Sequence, residues 1–134
     1  MARGYFIETS VIIEYLRGKA DTVAVLDELE GPFVSGFICL AELYDGIFRV
    51  HDKEQAEAAV LHFFRGLDEI RALDEESARI FGATRAVLKK RGSVIEDIDL
   101  IIAALCISGG YTLLTRNTKH FERVPDLSLY SWRA

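Results

Sequence analysis

Three acids in this sequence stand among apolar neighbours. Glu8 directly follows Tyr5-Phe6-Ile7, Glu42 lies inside Phe37-Ile38-Cys39-Leu40-Ala41-Glu42-Leu43, and Asp99 opens Ile98-Asp99-Leu100-Ile101-Ile102-Ala103-Ala104. An ionised carboxylate in such a setting is costly unless it is paired or bound to a metal. No lysine or arginine is adjacent to any of the three. Carboxylates gathered together repel one another and hold on to their protons, and a divalent cation removes that repulsion. Oxygen donors without a Cys or His ligand spacing select a hard ion, Mg²⁺ or Mn²⁺. An ion held this way suits phosphoryl chemistry, because it activates a water and compensates charge on a phosphodiester. Taken singly, each acid has an ordinary reading. Asp99 suits the first turn of a helix, Glu42 a solvated helix face, and Glu8 a strand end. Their occurrence together at positions one fold can gather is what points to a site.

The elements that must position them are short apolar strands alternating with helices. Tyr5-Phe6-Ile7 reads as a strand, and Thr9-Ser10 as the cap of a helix through Leu16 that Gly18 ends. A helix from Thr22 to Leu29 stops at Gly31-Pro32, and Phe33-Val34-Ser35 is a second strand. A helix from about Ile38 to Arg49 carries Leu40, Leu43, Tyr44 and Ile47 at helical spacing. Asp52 and Gln55 start a longer helix with the stripe Ala56, Ala59, Val60, Phe63, Phe64 and Leu67. Glu69 to Leu73 reads as a third strand, followed by a helix that opens at Asp74-Glu75-Glu76 and ends at Lys89-Lys90-Arg91-Gly92. A helix from about Ile98 to Ser108 closes at Gly109-Gly110, with strands at Tyr111 to Leu114 and Ser128 to Trp132.

This alternation predicts an α/β domain with a mainly parallel sheet of about five strands, covered by helices on both faces. Sites in such sheets form beyond the carboxyl ends of the strands, at the point where the strand order reverses. The residues there are polar: Glu8, Thr9 and Ser10, then Ser35 and Gly36, then Thr115, Arg116 and Asn117.

The chain of 134 residues, half of them hydrophobic, predicts a single domain spanning residues 1–134 and excludes global disorder. Cys39 and Cys106 sit in apolar stretches and read as small buried hydrophobes, not as a disulfide framework. The N-terminus lacks the long apolar region of a signal peptide, and the run Leu100 to Ile107 is too short to cross a bilayer, so a cytoplasmic protein without a membrane partner is expected. The net charge of −5 argues against tight non-specific binding of nucleic acid. Part of that charge is the candidate site itself. Arg85, Lys89, Lys90 and Arg91, with Arg116, Lys119, Arg123 and Arg133, offer a rim for phosphates.

Four segments together resemble the PIN-domain family. Phe6-Ile7-Glu8-Thr9-Ser10 resembles its opening strand and acid, and Ser35-Gly36-Phe37-Ile38-Cys39-Leu40-Ala41-Glu42-Leu43 its second, helical acid. Asp99-Leu100-Ile101-Ile102-Ala103-Ala104 resembles its third motif, and Leu114-Thr115-Arg116-Asn117 with Phe121 its fourth. Within that family the chain is most similar to the VapC-type toxins of bacterial toxin–antitoxin pairs. The resemblance implies a three-layer α/β/α fold, a Mg²⁺- or Mn²⁺-dependent endoribonuclease, a homodimer, an RNA substrate and a cognate VapB-type antitoxin. It places metal-binding, catalytic acids at Glu8, Glu42 and Asp99, with Asn117 completing the site.

Around these, Asp97 joins the site only if it lies in the turn before its helix. Thr9, Ser10 and Thr115 either bond the carboxylates or cap helices. Arg116 either meets a substrate phosphate or merely sits at its turn. His120, where the family often has an acid, reads as a loop histidine, and His51 and His62 as structural. Tyr15, Leu16, Phe37, Tyr44, Ile47 and Phe48 either form a groove for an antitoxin helix or pack internally. The family's first acid is usually Asp. Glu8 keeps the charge but moves the carboxylate by about one C–C bond, ~1.5 Å, as either a natural variant or an engineered change that tames the enzyme. That leaves a second reading, a catalytically weakened module that binds RNA or antitoxin. A haloacid-dehalogenase-type phosphatase would need a second Asp two residues after the first, where this chain has Ser10, and no convincing phosphoacceptor Asp of a receiver domain follows the third strand.

Overall fold

The computed structural model describes residues 3–132. Its elements run β1 (Tyr5–Ile7), α1 (Thr9–Leu16), α2 (Ala20–Glu28), β2 (Phe33–Gly36), α3 (Phe37–Ile47) and α4 (Lys53–Arg65). They continue with β3 (Glu69–Arg71), α5 (Glu75–Lys90), α6 (Asp97–Gly109), β4 (Thr112–Leu114), α7 (Thr118–Phe121) and β5 (Ser128–Leu129). The five strands form one sheet in the order β3-β2-β1-β4-β5, and every pair is parallel.

Successive strand residues point to opposite faces. Phe6 and Ile7 are both buried, as are Leu113 and Leu114, so both faces of the sheet are covered. This is the three-layer arrangement that the strand–helix alternation predicts. From β1 the chain builds outward through β2 to β3, then returns to place β4 on the other side of β1. The switch point therefore falls between β1 and β4, and the crevice beyond their carboxyl ends is the expected place for a site.

Helix α6 is apolar nearly all round, and Leu100, Ile102, Ala103, Ala104, Leu105 and Cys106 are all buried. A helix of that kind belongs in the interior. It packs against α5, α3 and β4 and carries Asp99 in its first turn. Helix α5 starts with a reciprocal capping box between Asp74 and Ser77, and Asp52 caps α4 by accepting from the Gln55 amide at 3.1 Å.

The structure departs from the sequence expectation in small elements. Helix α7 is one turn with only Phe121 buried, which leaves no periodic signal to read. Strand β3 stops at Arg71 and β5 at Leu129. The end of β5 is released because Trp132 turns to bond the Thr115 carbonyl. Thr9 and Ser10 do not cap α1. The N-cap is Glu8, no side chain caps the helix, and both hydroxyls go to carboxylates instead. Cys39 and Cys106 are free and fully buried, as expected.

Candidate carboxylate site at the switch point

Glu8 stands at the carboxyl end of β1 and is only 4% exposed. Its amide donates to the Leu114 carbonyl at 3.0 Å, which fastens it to the end of β4. One carboxylate oxygen, Oε1, accepts from the Ser10 hydroxyl at 2.5 Å and from the Thr115 hydroxyl at 2.6 Å. Ser35, at the end of β2, is fully buried and donates to the Ile7 carbonyl at 2.7 Å, holding the neighbouring strand end.

Glu42 comes from α3, where its position in the helix turns it toward α1. The Thr9 hydroxyl donates to Glu42 Oε1 at 2.6 Å. Burial pushes the Glu42 carboxyl above the usual glutamate range. The Thr9 bond opposes that shift, and repulsion from Glu8 and Asp99 reinforces it. Glu42 therefore feels both other acids. Among the described residues no lysine or arginine forms an ion pair with Glu8, Glu42 or Asp99. Asp99 is met instead by His120, with Nδ1 and Oδ2 3.2 Å apart. The Cys39 thiol, beneath the site, is pushed up to about 11 by burial, with Glu8 and Glu42 adding to the shift, so it stays protonated.

The structure thus brings Glu8, Glu42, Asp99, Thr9, Ser10 and Thr115 into one neighbourhood. Asn117 caps α7 beside it, exposed, with its amide donating to Thr115 Oγ1 at 3.0 Å. Two residues named in sequence are directed elsewhere. Asp97 is already the first helical residue of α6, exposed, and pairs with Arg85 on α5. The Arg116 side chain turns away from the acids. Its Nε donates to Glu14 Oε1 at 2.8 Å, and its Nη2 to Asp21 Oδ2 at 2.9 Å and to Thr22 Oγ1 at 3.0 Å. The basic rim shrinks accordingly. Arg85 is paired, Arg123 donates to the Val94 carbonyl at 2.5 Å, and Arg133 lies outside the described residues. Lys89, Lys90, Arg91 and Lys119 remain exposed.

Glu14, Asp21, Thr22 and Trp132 are the partners of Arg116 that the sequence reading missed. They meet Arg116 from positions 94 or more residues earlier, or from the chain end, and no local spacing announces them.

The donor set is all oxygen and uncompensated by fixed cations, which fits a hard divalent ion. Among the described residues no three Asp, Glu, His or Cys side chains close into a complete ligand set.

Away from the acids, Tyr15, Leu16, Leu26, Phe63 and Leu67 line a mostly apolar groove of about 300 Å³ between α1, α2 and α4, with Asp27, Ala59 and His62 also in its lining. Of the six residues suggested for a partner groove, Tyr15 and Leu16 lie in it. Ile47 is core, and Tyr44 stacks on exposed Phe48 elsewhere. No helix among the described residues is long and apolar enough to cross a membrane.

The PIN domain family matches residues 5–127. Ribonuclease VapC1 of Methanocaldococcus jannaschii is 40% identical over 92% of this chain and 82% of its own. Ribonuclease VapC2 of Rickettsia felis is 36% identical over 96% of this chain and 97% of its own. The crystal structure of VapBC2 from Rickettsia felis, bound to a DNA fragment from their promoter, holds a chain similar at a TM-score of 0.88 and 28% identity, covering 96% of this chain and 98% of that one.

Proposed function

The chain belongs to the PIN-domain family, alongside the VapC ribonucleases, and from that premise we propose that it is an endoribonuclease toxin. It cuts RNA phosphodiester bonds with a Mg²⁺ or Mn²⁺ ion at Glu8, Glu42 and Asp99, acts as a homodimer, and is neutralised by a VapB-type antitoxin. The observation that carries this reading is the electrostatic state of Glu42. Its carboxyl is raised by burial and by two other carboxylates at the switch point, and among the described residues no arginine or lysine pairs with it.

A divalent ion, when bound there, supplies a more acidic water and compensation for the charge that builds on the phosphodiester. The chain's own residues do the rest. Glu8 is fixed by two hydroxyls and the end of β4, so its free oxygen Oε2 has a set direction. Thr9 orients Glu42. Asp99 stands with His120 in an open pocket of about 160 Å³, also lined by Glu96 and Arg123, where a substrate strand can enter. Asn117 flanks the site with its exposed amide. Unpaired RNA is the substrate form such a shallow site can grip.

The antitoxin's place is the groove between α1, α2 and α4, whose lining by Tyr15, Leu16, Leu26, Phe63 and Leu67 suits the apolar face of a helix. Support for the partner comes from the relatives, which include a toxin solved as a VapBC complex.

Asp99→Asn tests the site. Cleavage of a panel of single-stranded RNAs in Mg²⁺ or Mn²⁺ is expected to be lost while circular dichroism and Tm stay native. Full activity in the folded variant overturns the assignment. A second reading, a weakened module that binds RNA or antitoxin, is favoured by one observation: the longer Glu8 side chain lies in a cluster that does not close into a ligand set. Metal titration separates the two, since saturable metal-dependent cleavage supports the enzyme and binding without cleavage supports the module.

A further inference from the structure

The turn between β4 and α7 is fastened on two sides. On the side away from the acids, the Arg116 guanidinium reaches Glu14, Asp21 and Thr22 on α1 and α2, and its carbon lies 3.5 Å from the centroid of the Trp132 ring. The same indole donates from Nε1 to the Thr115 carbonyl at 2.9 Å. A desolvated guanidinium over a Trp face is among the stronger cation–π arrangements, and a forked guanidinium loses little entropy per bond formed.

On the side facing the acids, the same turn aims two hydroxyls. The Arg116 amide donates to Ser10 Oγ at 3.0 Å, and the Asn117 amide donates to Thr115 Oγ1 at 3.0 Å. A hydroxyl has one proton to give. With an amide occupying an acceptor site on each oxygen, both protons turn to Glu8 Oε1, at 2.5 Å from Ser10 and 2.6 Å from Thr115. The position of Glu8 therefore depends on where the backbone of residues 115–117 sits. That backbone is held by a residue from the far end of the chain.

We propose that Trp132 and Arg116 are positioning residues for Glu8: the indole–guanidinium stack and the indole bond to Thr115 lock the turn so that Ser10 and Thr115 present Glu8 to the reaction. The inference rests on the ribonuclease reading for its kinetic arm and on geometry alone for its structural arm. Neither residue touches substrate. A loosened turn lets Glu8 drift, and a drift near 1 Å costs up to about 10²-fold in rate.

The test uses the full chain with Trp132→Phe, which keeps an aromatic face, though a smaller one, and removes the indole N–H, and Arg116→Lys, which keeps the charge and removes the fork. Each is compared with the parent by kcat and KM on single-stranded RNA, by amide hydrogen exchange at Arg116 and Asn117, and by Tm. For Trp132→Phe, kcat is expected to fall ~10-fold with KM unchanged, and exchange at the two amides to quicken by about the same factor while the α6 amides keep their protection. Arg116→Lys is expected to move the same readouts in the same direction, so it decides the case if the Trp132 variant fails to fold.

Unchanged exchange at both amides overturns the proposal. So does faster exchange with full kcat, because the turn would then move without moving Glu8. A raised KM with native kcat also overturns it, since Arg116 would then meet substrate. If the parent chain cuts no RNA with any metal, the ribonuclease reading falls, and the exchange measurement still decides whether the indole locks the turn.

Discussion

At the scale of single residues, the site turns on where carboxylate charge is left without a partner. Glu8 spends one oxygen on two hydroxyls at 2.5 and 2.6 Å. Among the described residues no three ligands close around that carboxylate. Glu8→Asp withdraws the group by ~1.5 Å and makes room for an ion with its waters. Metal-dependent cleavage by Glu8→Asp is therefore expected to rise, by ten-fold or more on the scale of ~1 Å misplacements. Equal or lower rates than the parent sink that account. Glu42 gives a second, thermodynamic prediction. Its folded carboxyl is raised, chiefly by burial and also by Glu8 and Asp99, so the folded state holds the proton more tightly than the unfolded chain does. That group costs no stability below the ordinary glutamate range. The cost enters as pH climbs through the ordinary value and is complete above the raised one. Glu42→Gln should thus raise Tm by a few degrees at pH 7 and leave it unchanged at a pH well below the glutamate range. Mg²⁺ should narrow the difference at pH 7, because ion binding stabilises the parent by mass action.

At the scale of elements, most of the architecture was legible because period and capping agree with position. The α4 and α5 starts, the buried α6 run and the first two strands all follow from local pattern. Glu8, Glu42 and Asp99 were visible as acids in apolar settings. What was not legible is contact made at long range. Thr9 and Ser10 look like caps, because Thr and Ser before a helix usually are, yet carboxylates claim both hydroxyls: half-buried Glu42 from α3 takes that of Thr9, and Glu8, two residues back, that of Ser10. Asp97 could join Asp99 only from the turn before the helix; it is already helical, and two steps of about 100° each put it on the other side, where it meets Arg85. Arg116 reads as a phosphate ligand by type and as a clamp only once Glu14, Asp21, Thr22 and Trp132 are in place. The junction of α6 and β4 offers a test at this scale. A Cβ added at Gly109 would meet the Tyr111 ring at 2.1 Å. That ring is buried, and its hydroxyl is bonded to Glu69 at 3.1 Å, so it has little freedom to swing away. Gly109→Ala is expected to lose about 1–3 kcal/mol of stability through overpacking, seen as a lower denaturant midpoint at unchanged m-value. A native midpoint would mean that the ring and the helix end adjust freely.

At the scale of the whole molecule, the two proposed surfaces are separated by the fold. The acids open at the carboxyl ends of β1 and β4, whereas the apolar groove runs between α1, α2 and α4. Helix α1 links them, since Thr9 and Ser10 at its start serve the acids and Tyr15 and Leu16 at its end line the groove. Net charge follows the same division. The chain carries −5, part of it concentrated where a divalent ion would offset it, so under the proposed ribonuclease reading RNA recognition would rest on shape and the ion more than on a basic surface. The separation makes partner binding and cleavage independently removable. Ala59 is exposed on α4 at the groove margin and supports neither the core nor any carboxylate. Glutamate there places a longer, charged side chain in an apolar slot and leaves the crevice untouched. Ala59→Glu should fold with a native Tm, cleave single-stranded RNA at the parent rate, and lose at least ten-fold in affinity for the cognate antitoxin, since an unpaired charge buried at an interface opposes binding by roughly 1.4 kcal/mol or more. Affinity measured by calorimetry beside the cleavage rate decides it. Antitoxin bound as tightly as by the parent places the partner on another face, and a parallel loss of cleavage would show that the groove and the acids are not separate after all.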